Sequence, residues 1–144
     1  MARAKAESVL DRVPDGSIVV AADQLGVMRG ALLHQPGSVE RAIEQLLGMS
    51  GATHLLVNGI VVGCDGRWNS AVDVHRVTMR TFDRAVARTY VEAYLPLDTV
   101  GGYRLEDDAG EGAGLIESVE GSGADGVMGL PITVLRELLA RCRT

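Results

Sequence analysis

Aromatic residues are scarce: Trp68, Phe82, Tyr90, Tyr94 and Tyr103 make up 3% of the 144 residues. A core must therefore be built from Val, Leu, Ile and Ala. Positive charge is also short, with 14 Lys and Arg against 19 Asp and Glu and a formal net charge of −5. That balance disfavours a nucleic-acid polymer as partner, because such a footprint needs a basic face to displace counterions. No apolar run approaches the ~18 residues needed to span a bilayer, so no membrane partner is expected. The opening residues lack the apolar stretch of a signal peptide, and a cytoplasmic location is the matching expectation. Cysteine is nearly absent. Cys64 and Cys142 lie far apart without metal-ligand spacing and read as a reduced pair of buried thiols.

What is present is ordinary globular material, 47% hydrophobic and 23% charged, which excludes a disordered chain. The length fits a single domain over residues 1–144, enough to bury roughly 70% of the surface the unfolded chain exposes. Residues 2–13 are rich in Ala, Lys, Glu and Arg and read as a helix. The apolar run at 18–22 stops at Asp23 and predicts a short strand buried on both faces. Ser38 is placed to cap a helix in which Val39, Ala42, Ile43, Leu46 and Leu47 form an apolar stripe. Residues 54–64 predict a strand, and Asp65-Gly66 predicts a tight hairpin into a return strand over 68–80. Val72 and Val74 share one parity while Val77 and Met79 share the other, so a bulge near His75 is expected. A third helix is predicted over 83–94, a strand over 113–119, and a final helix with Pro131 at a first helical position and Leu135, Leu138, Leu139 and Cys142 in its stripe. The expected fold class is α/β, a mixed β-sheet flanked by helices with a ligand cleft.

Asp23 is the first chemical candidate. A carboxylate at the end of a buried strand is where open α/β sheets place ligands, and it could hold a divalent metal or orient a water. A turn or capping role fits its spacing equally well. The segment GSGADG at 121–126 has the form G-x-G-x-x-G, but Pro131 follows closely, and a hairpin loop is the expected structure. The acidic cluster Glu106, Asp107, Asp108 and Glu111 could bind a hard cation or simply be a solvated loop. His34, His54 and His75 lack zinc spacing and read as hydrogen-bonding side chains, and Trp68 reads as hairpin packing.

Seven short motifs, taken in order, carry a family resemblance. They are ARAKA at 2–6, VVAADQ at 19–24, LHQP at 33–36, LGMSGATH at 47–54, VHRVTMR at 74–80, TVGGYRLE at 99–106 and GLPI at 129–132. Together the chain resembles the Maf family of septum-formation-inhibitor-like nucleoside triphosphate pyrophosphatases. The resemblance implies hydrolysis of a nucleoside triphosphate to monophosphate and pyrophosphate with a divalent metal, Mg or Mn, and a homodimer. It implies that Asp23 is the catalytic residue and binds the metal with Glu106. Lys5 would face the phosphates, and Gln35, Arg80, Arg104 and Glu106 would contact substrate. A structural ion pair accounts for Arg80 equally well.

Three departures accompany the resemblance. The family's first strand and its Ser- and Arg-rich phosphate loop lie upstream of the motif at 2–6, so the expectation is either a reading frame started too late or a shortened member. Gln35 stands where the family has Lys, and an amide cannot offset phosphate charge. Asp107, Asp108 and Ala109 look like an insertion that adds negative charge. Each departure weakens triphosphate turnover, and the alternative is a non-catalytic nucleotide-binding or protein-interaction module derived from this fold.

Overall fold

The computed structural model describes residues 1–108 and 114–143. Five strands form one sheet in the order β2-β1-β3-β4-β5. They are β1 (Val19–Met28), β2 (Ala31–Leu33), β3 (Thr53–Cys64), β4 (Arg67–Met79) and β5 (Ile116–Glu120). The helices are α1 (Ala2–Glu7), α2 (Val39–Met49), α3 (Arg84–Tyr94), α4 (Ala124–Val127) and α5 (Ile132–Cys142). The α/β class agrees with expectation. The pairings β1–β2 and β4–β5 are antiparallel. The chain divides into two compact units: residues 1–24, 57–74 and 121–144 in the first, and 25–56 and 75–120 in the second.

In the first unit, Ile60 and Val62 of β3 pack against Leu138 of α5, bordered by Ala71, Val134, Leu135 and Leu139. Gly63 lies beneath the Trp68 ring. A Cβ there would meet the ring at 2.6 Å, so only glycine allows this approach. Arg3 of α1 lies 4.6 Å above the same ring, a cation–π contact worth about 0.5–1 kcal/mol at such a surface site. The turn Asp65-Gly66 forms as expected, both residues having positive φ (48° and 73°), which is what a two-residue hairpin of matching twist requires.

In the second unit, α2 packs on α3. The α2 stripe buries Ala42, Ile43, Leu46 and Met49, and α3 answers with Ala87, Tyr90 and Val91. Both caps are polar side chains: Ser38 accepts the Arg41 N–H at 3.3 Å, and Asp83 accepts the Val86 N–H at 3.0 Å. Leu95 then takes a left-handed conformation ahead of Pro96 and ends α3.

Several expectations need correction. The first helix ends at Glu7, and a separate 3-10 turn covers Leu10–Arg12. The strand expected to stop at Asp23 continues to Met28 and is mostly half-buried, so it is not a strand covered on both faces. Its extension pairs with β2 through a turn at Arg29-Gly30, both with positive φ. No bulge is needed near His75: His75, Val77 and Met79 point inward while Val72 and Val74 are exposed, and the one register irregularity of the β4–β5 pair falls between Thr78 and Met79. The last strand starts at Ile116, whereas Ala113 lies outside the described residues together with Ala109 and Glu111.

The loop expected at 121–126 contains the single helical turn α4. Asp125 explains it. One carboxylate oxygen accepts the Gly126 N–H and the other accepts the Ile132 N–H at 2.9 Å, so Pro131 stops continuation but not the preceding turn. The two cysteines are not free thiols. Cys64 and Cys142 form a disulfide with their Cα atoms 5.9 Å apart, because α5 returns to the end of β3 despite a sequence separation of 78.

Candidate active site

The first unit brings together Lys5 and Asp23. Helix α1 buries Ala2 and Ala6 and leaves Lys5 on its open side. Asp23 stands in the middle of β1, not at its end. The Lys5 Nζ donates to Asp23 Oδ1 at 2.5 Å and reaches the Ala22 carbonyl at 3.5 Å. The Asp23 side chain is 16% exposed and that of Lys5 56%, so the pair sits at the surface with its acid half sheltered. Such a pair contributes only about 0–1 kcal/mol to stability. Its chemical content is a carboxylate with an exposed ammonium beside it.

The next residue faces the opposite side of the strand and anchors it. Gln24 Nε2 shares its two N–H groups among Asn58 Oδ1 at 3.1 Å and the carbonyls of Gly126 and Val127 at 3.2 and 3.0 Å. Asn58 Nδ2 adds a bond of 2.7 Å to the Gly126 carbonyl, and Asn58 is fully buried. These bonds tie β1 and β3 to α4 and so fix the register that presents Asp23. Sequence reasoning missed this anchor. The available signal was an amide in the middle of an otherwise apolar run at 55–62.

The other expected site residues, Gln35, Arg80, Arg104 and Glu106, belong to the second unit. Gln35 is exposed on a segment held by backbone bonds from Gly101 to His34 and from Gly37 to Leu97, and by Gln45 Nε2 on the His34 carbonyl at 2.9 Å. That segment therefore borders residues 97–102, which lead into Arg104 and Glu106. Glu106 is exposed. Arg104 is committed: its guanidinium donates to Asp98 at 2.9 Å and to the Tyr94 carbonyl at 3.2 Å, and it pairs with Asp107 at 3.5 Å. Desolvation works against the charged form, but Asp98 and Asp107 together outweigh it and hold the group above the usual arginine range.

Two tyrosines fix this loop from below. The Tyr90 hydroxyl accepts the Arg104 N–H at 2.9 Å, and Tyr103 meets His54 Nε2 at 2.6 Å. Burial pushes Tyr90 up to about 12, raises Tyr103 further, and lowers His54 to about 4, so all three are neutral at physiological pH. His54 is thus a hydrogen-bonding side chain, as expected.

Asp107 and Asp108 both engage neighbouring groups, Asp107 through its pair with Arg104. Asp108 accepts the backbone N–H groups of Leu115 and Ile116, and burial pushes its carboxyl up even though these bonds work in the opposite direction. Arg80 Nε donates to the Ile116 carbonyl at 3.0 Å, so the structure gives Arg80 a backbone-holding role. Among the described residues no three His, Cys, Asp or Glu side chains gather as a metal site. Among the described residues no helix is long and apolar enough to cross a membrane.

Comparison with known proteins gives this geometry its context. Residues 1–142 match the family model described as Maf-like protein. The chain is 38% identical over 144 residues to a 7-methyl-GTP pyrophosphatase of Alkalilimnicola ehrlichii, covering 99% of this chain and 70% of that protein. It is 34% identical to a 7-methyl-GTP pyrophosphatase of Pseudomonas aeruginosa, covering 96% of this chain and 71% of the relative. It is also 34% identical to a dTTP/UTP pyrophosphatase of Chlamydia felis, with 96% and 69% covered. A family match of this extent, joined to relatives aligned over more than two thirds of their length, establishes that the chain belongs to the Maf family.

Proposed function

We propose that this chain is a nucleoside triphosphate pyrophosphatase, converting a triphosphate and water to the monophosphate and pyrophosphate. The observation that carries the reading is the Lys5–Asp23 contact at 2.5 Å, in a chain 38% and 34% identical to relatives named as pyrophosphatases. Attack on the α-phosphorus needs an oriented water, and a strand-mounted carboxylate held in register by Gln24 and Asn58 can supply that orientation. The Lys5 ammonium is free to exchange Asp23 for a phosphate oxygen and offset the charge that develops there. Asp23 would also hold a divalent cation, Mg or Mn, whose role when bound is to neutralise phosphate oxygens.

The loop of the second unit supports one substrate over the others. Arg104 is engaged by both Asp98 and Asp107, one cation against two carboxylates, so the exposed Glu106 adds to a local excess of negative charge among the described residues. A carboxylate so placed suits a base that carries positive charge, as N7-methylated guanine does. Relatives named 7-methyl-GTP pyrophosphatase agree with that preference. A homodimer in the cytoplasm belongs to the same proposal, and the exposed Ile18, Val20, Val72 and Val74 supply apolar surface for it.

Pyrophosphate release from 7-methyl-GTP, GTP, dTTP and UTP, with Mg or Mn and with chelator, tests the reading. Asp23→Asn is expected to lower turnover on the best substrate by about 10²–10³. A wild type no faster than Asp23→Asn on every triphosphate would sink it.

A further inference from the structure

The Cys64–Cys142 disulfide forms one wall of a cavity of about 320 Å³ in the first unit. The cavity is also lined by Arg67, Arg141 and Arg143, opposed by the single carboxylate of Asp65. Arg67 follows the β3–β4 turn, and Arg143 caps the end of α5; both are exposed. The two sulfurs are not equivalent. As residues, Cys64 is 8% exposed whereas Cys142 is half-buried, which favours approach from the Cys142 side. Cys142 also occupies the last turn of α5, where the negative end of the helix dipole disfavours a thiolate. Cys64 is therefore the better leaving group.

We propose that this cavity is a thiol-exchange site for small anionic thiols. Exchange proceeds through an attacking thiolate, and its rate depends on access and on the ease with which the departing sulfur takes negative charge. Guanidinium groups around the disulfide assist both, and a second anionic group on the incoming molecule adds attraction that a neutral thiol lacks. The thiolate bonds to Cys142 Sγ, the Cys142–Cys64 bond breaks, and Cys64 leaves with the electron pair. A second thiolate of the same class then attacks the mixed disulfide and releases Cys142. The protein disulfide is reduced, and two small thiols are oxidised to their own disulfide. None of this depends on the pyrophosphatase reading.

The test compares 2-mercaptoethanesulfonate with 2-mercaptoethanol on the oxidised full chain, with rates corrected for thiolate content and the Cys142 adduct followed by mass spectrometry. The anionic thiol is expected to react roughly fivefold faster at low salt. That preference should fall below about twofold at ~0.5 M salt and in an Arg67→Gln/Arg143→Gln variant. The salt series needs no mutation and keeps the result independent of any folding defect. A preference below about twofold at low salt overturns the proposal, as does one that survives both salt and the double variant. So does finding two free thiols in the denatured, air-equilibrated wild type.

Discussion

Both cysteines and only one aromatic residue, Trp68, fall in the first unit; Phe82 and all three tyrosines fall in the second, which has no cysteine. The first unit rests on a small aliphatic cluster around Ile60, Val62 and Leu138 and closes its C-terminal helix with a covalent bond. The second unit buries two helix faces against each other and uses tyrosine hydroxyls to hold its loop. A core of few bulky side chains leaves less burial energy to hold a terminal helix, and a crosslink over a long loop offsets that deficit by restricting the unfolded chain.

If that contrast is right, cutting the crosslink should weaken the first unit selectively. Cys64→Ser/Cys142→Ser is expected to cost about 4 kcal/mol, from the closure entropy of a long loop. Hydrogen exchange should show lost protection in α5 while α2 and α3 keep theirs. Equal loss in both sets of helices would break the comparison.

The second unit should respond to acid. His54 has a folded value of about 4 against an ordinary 6.5, lowered by burial. Between those limits the unfolded chain takes up a proton that the folded chain excludes, so stability falls as pH drops from 6.5 towards 4. The loss is up to about 3 kcal/mol across the window. Urea unfolding at pH 7 and pH 5 should show a smaller decline in His54→Gln than in wild type; identical slopes would show that His54 is not the source.

The smallest effect sharpens the role of the tyrosines. Tyr90→Phe keeps the ring but removes the acceptor of the Arg104 N–H, at a cost of about 1–2 kcal/mol for the unpaired backbone group. Chemical denaturation measures it. No change would mean that the ring alone holds the loop.

The parts of the fold legible in the sequence were those with a local cause. The α2 stripe with its Ser38 cap, the Asp65-Gly66 turn and the end of α3 before Pro96 follow from periodicity, capping chemistry and backbone stereochemistry. Less legible were the elements whose shape depends on distant partners. β1 runs beyond Asp23 because β2 pairs with its far end, and α4 forms because Asp125 reaches forward to the start of α5. In the candidate site, the motifs pointed to Lys5 and Asp23 as separate residues. Their contact needed α1 and β1 to be folded together.

Sequence alone determined the family signature, the net negative charge and the helix and turn chemistry, because each is written in neighbouring residues or in motif order. Tertiary structure decided that Cys64 and Cys142 are bonded, that Arg104 is paired with both Asp98 and Asp107, and that Asn58 anchors the strand bearing Asp23. All three depend on contacts between side chains brought together by the fold, and a side chain's charge, bonding and accessibility are set by what stands beside it in space.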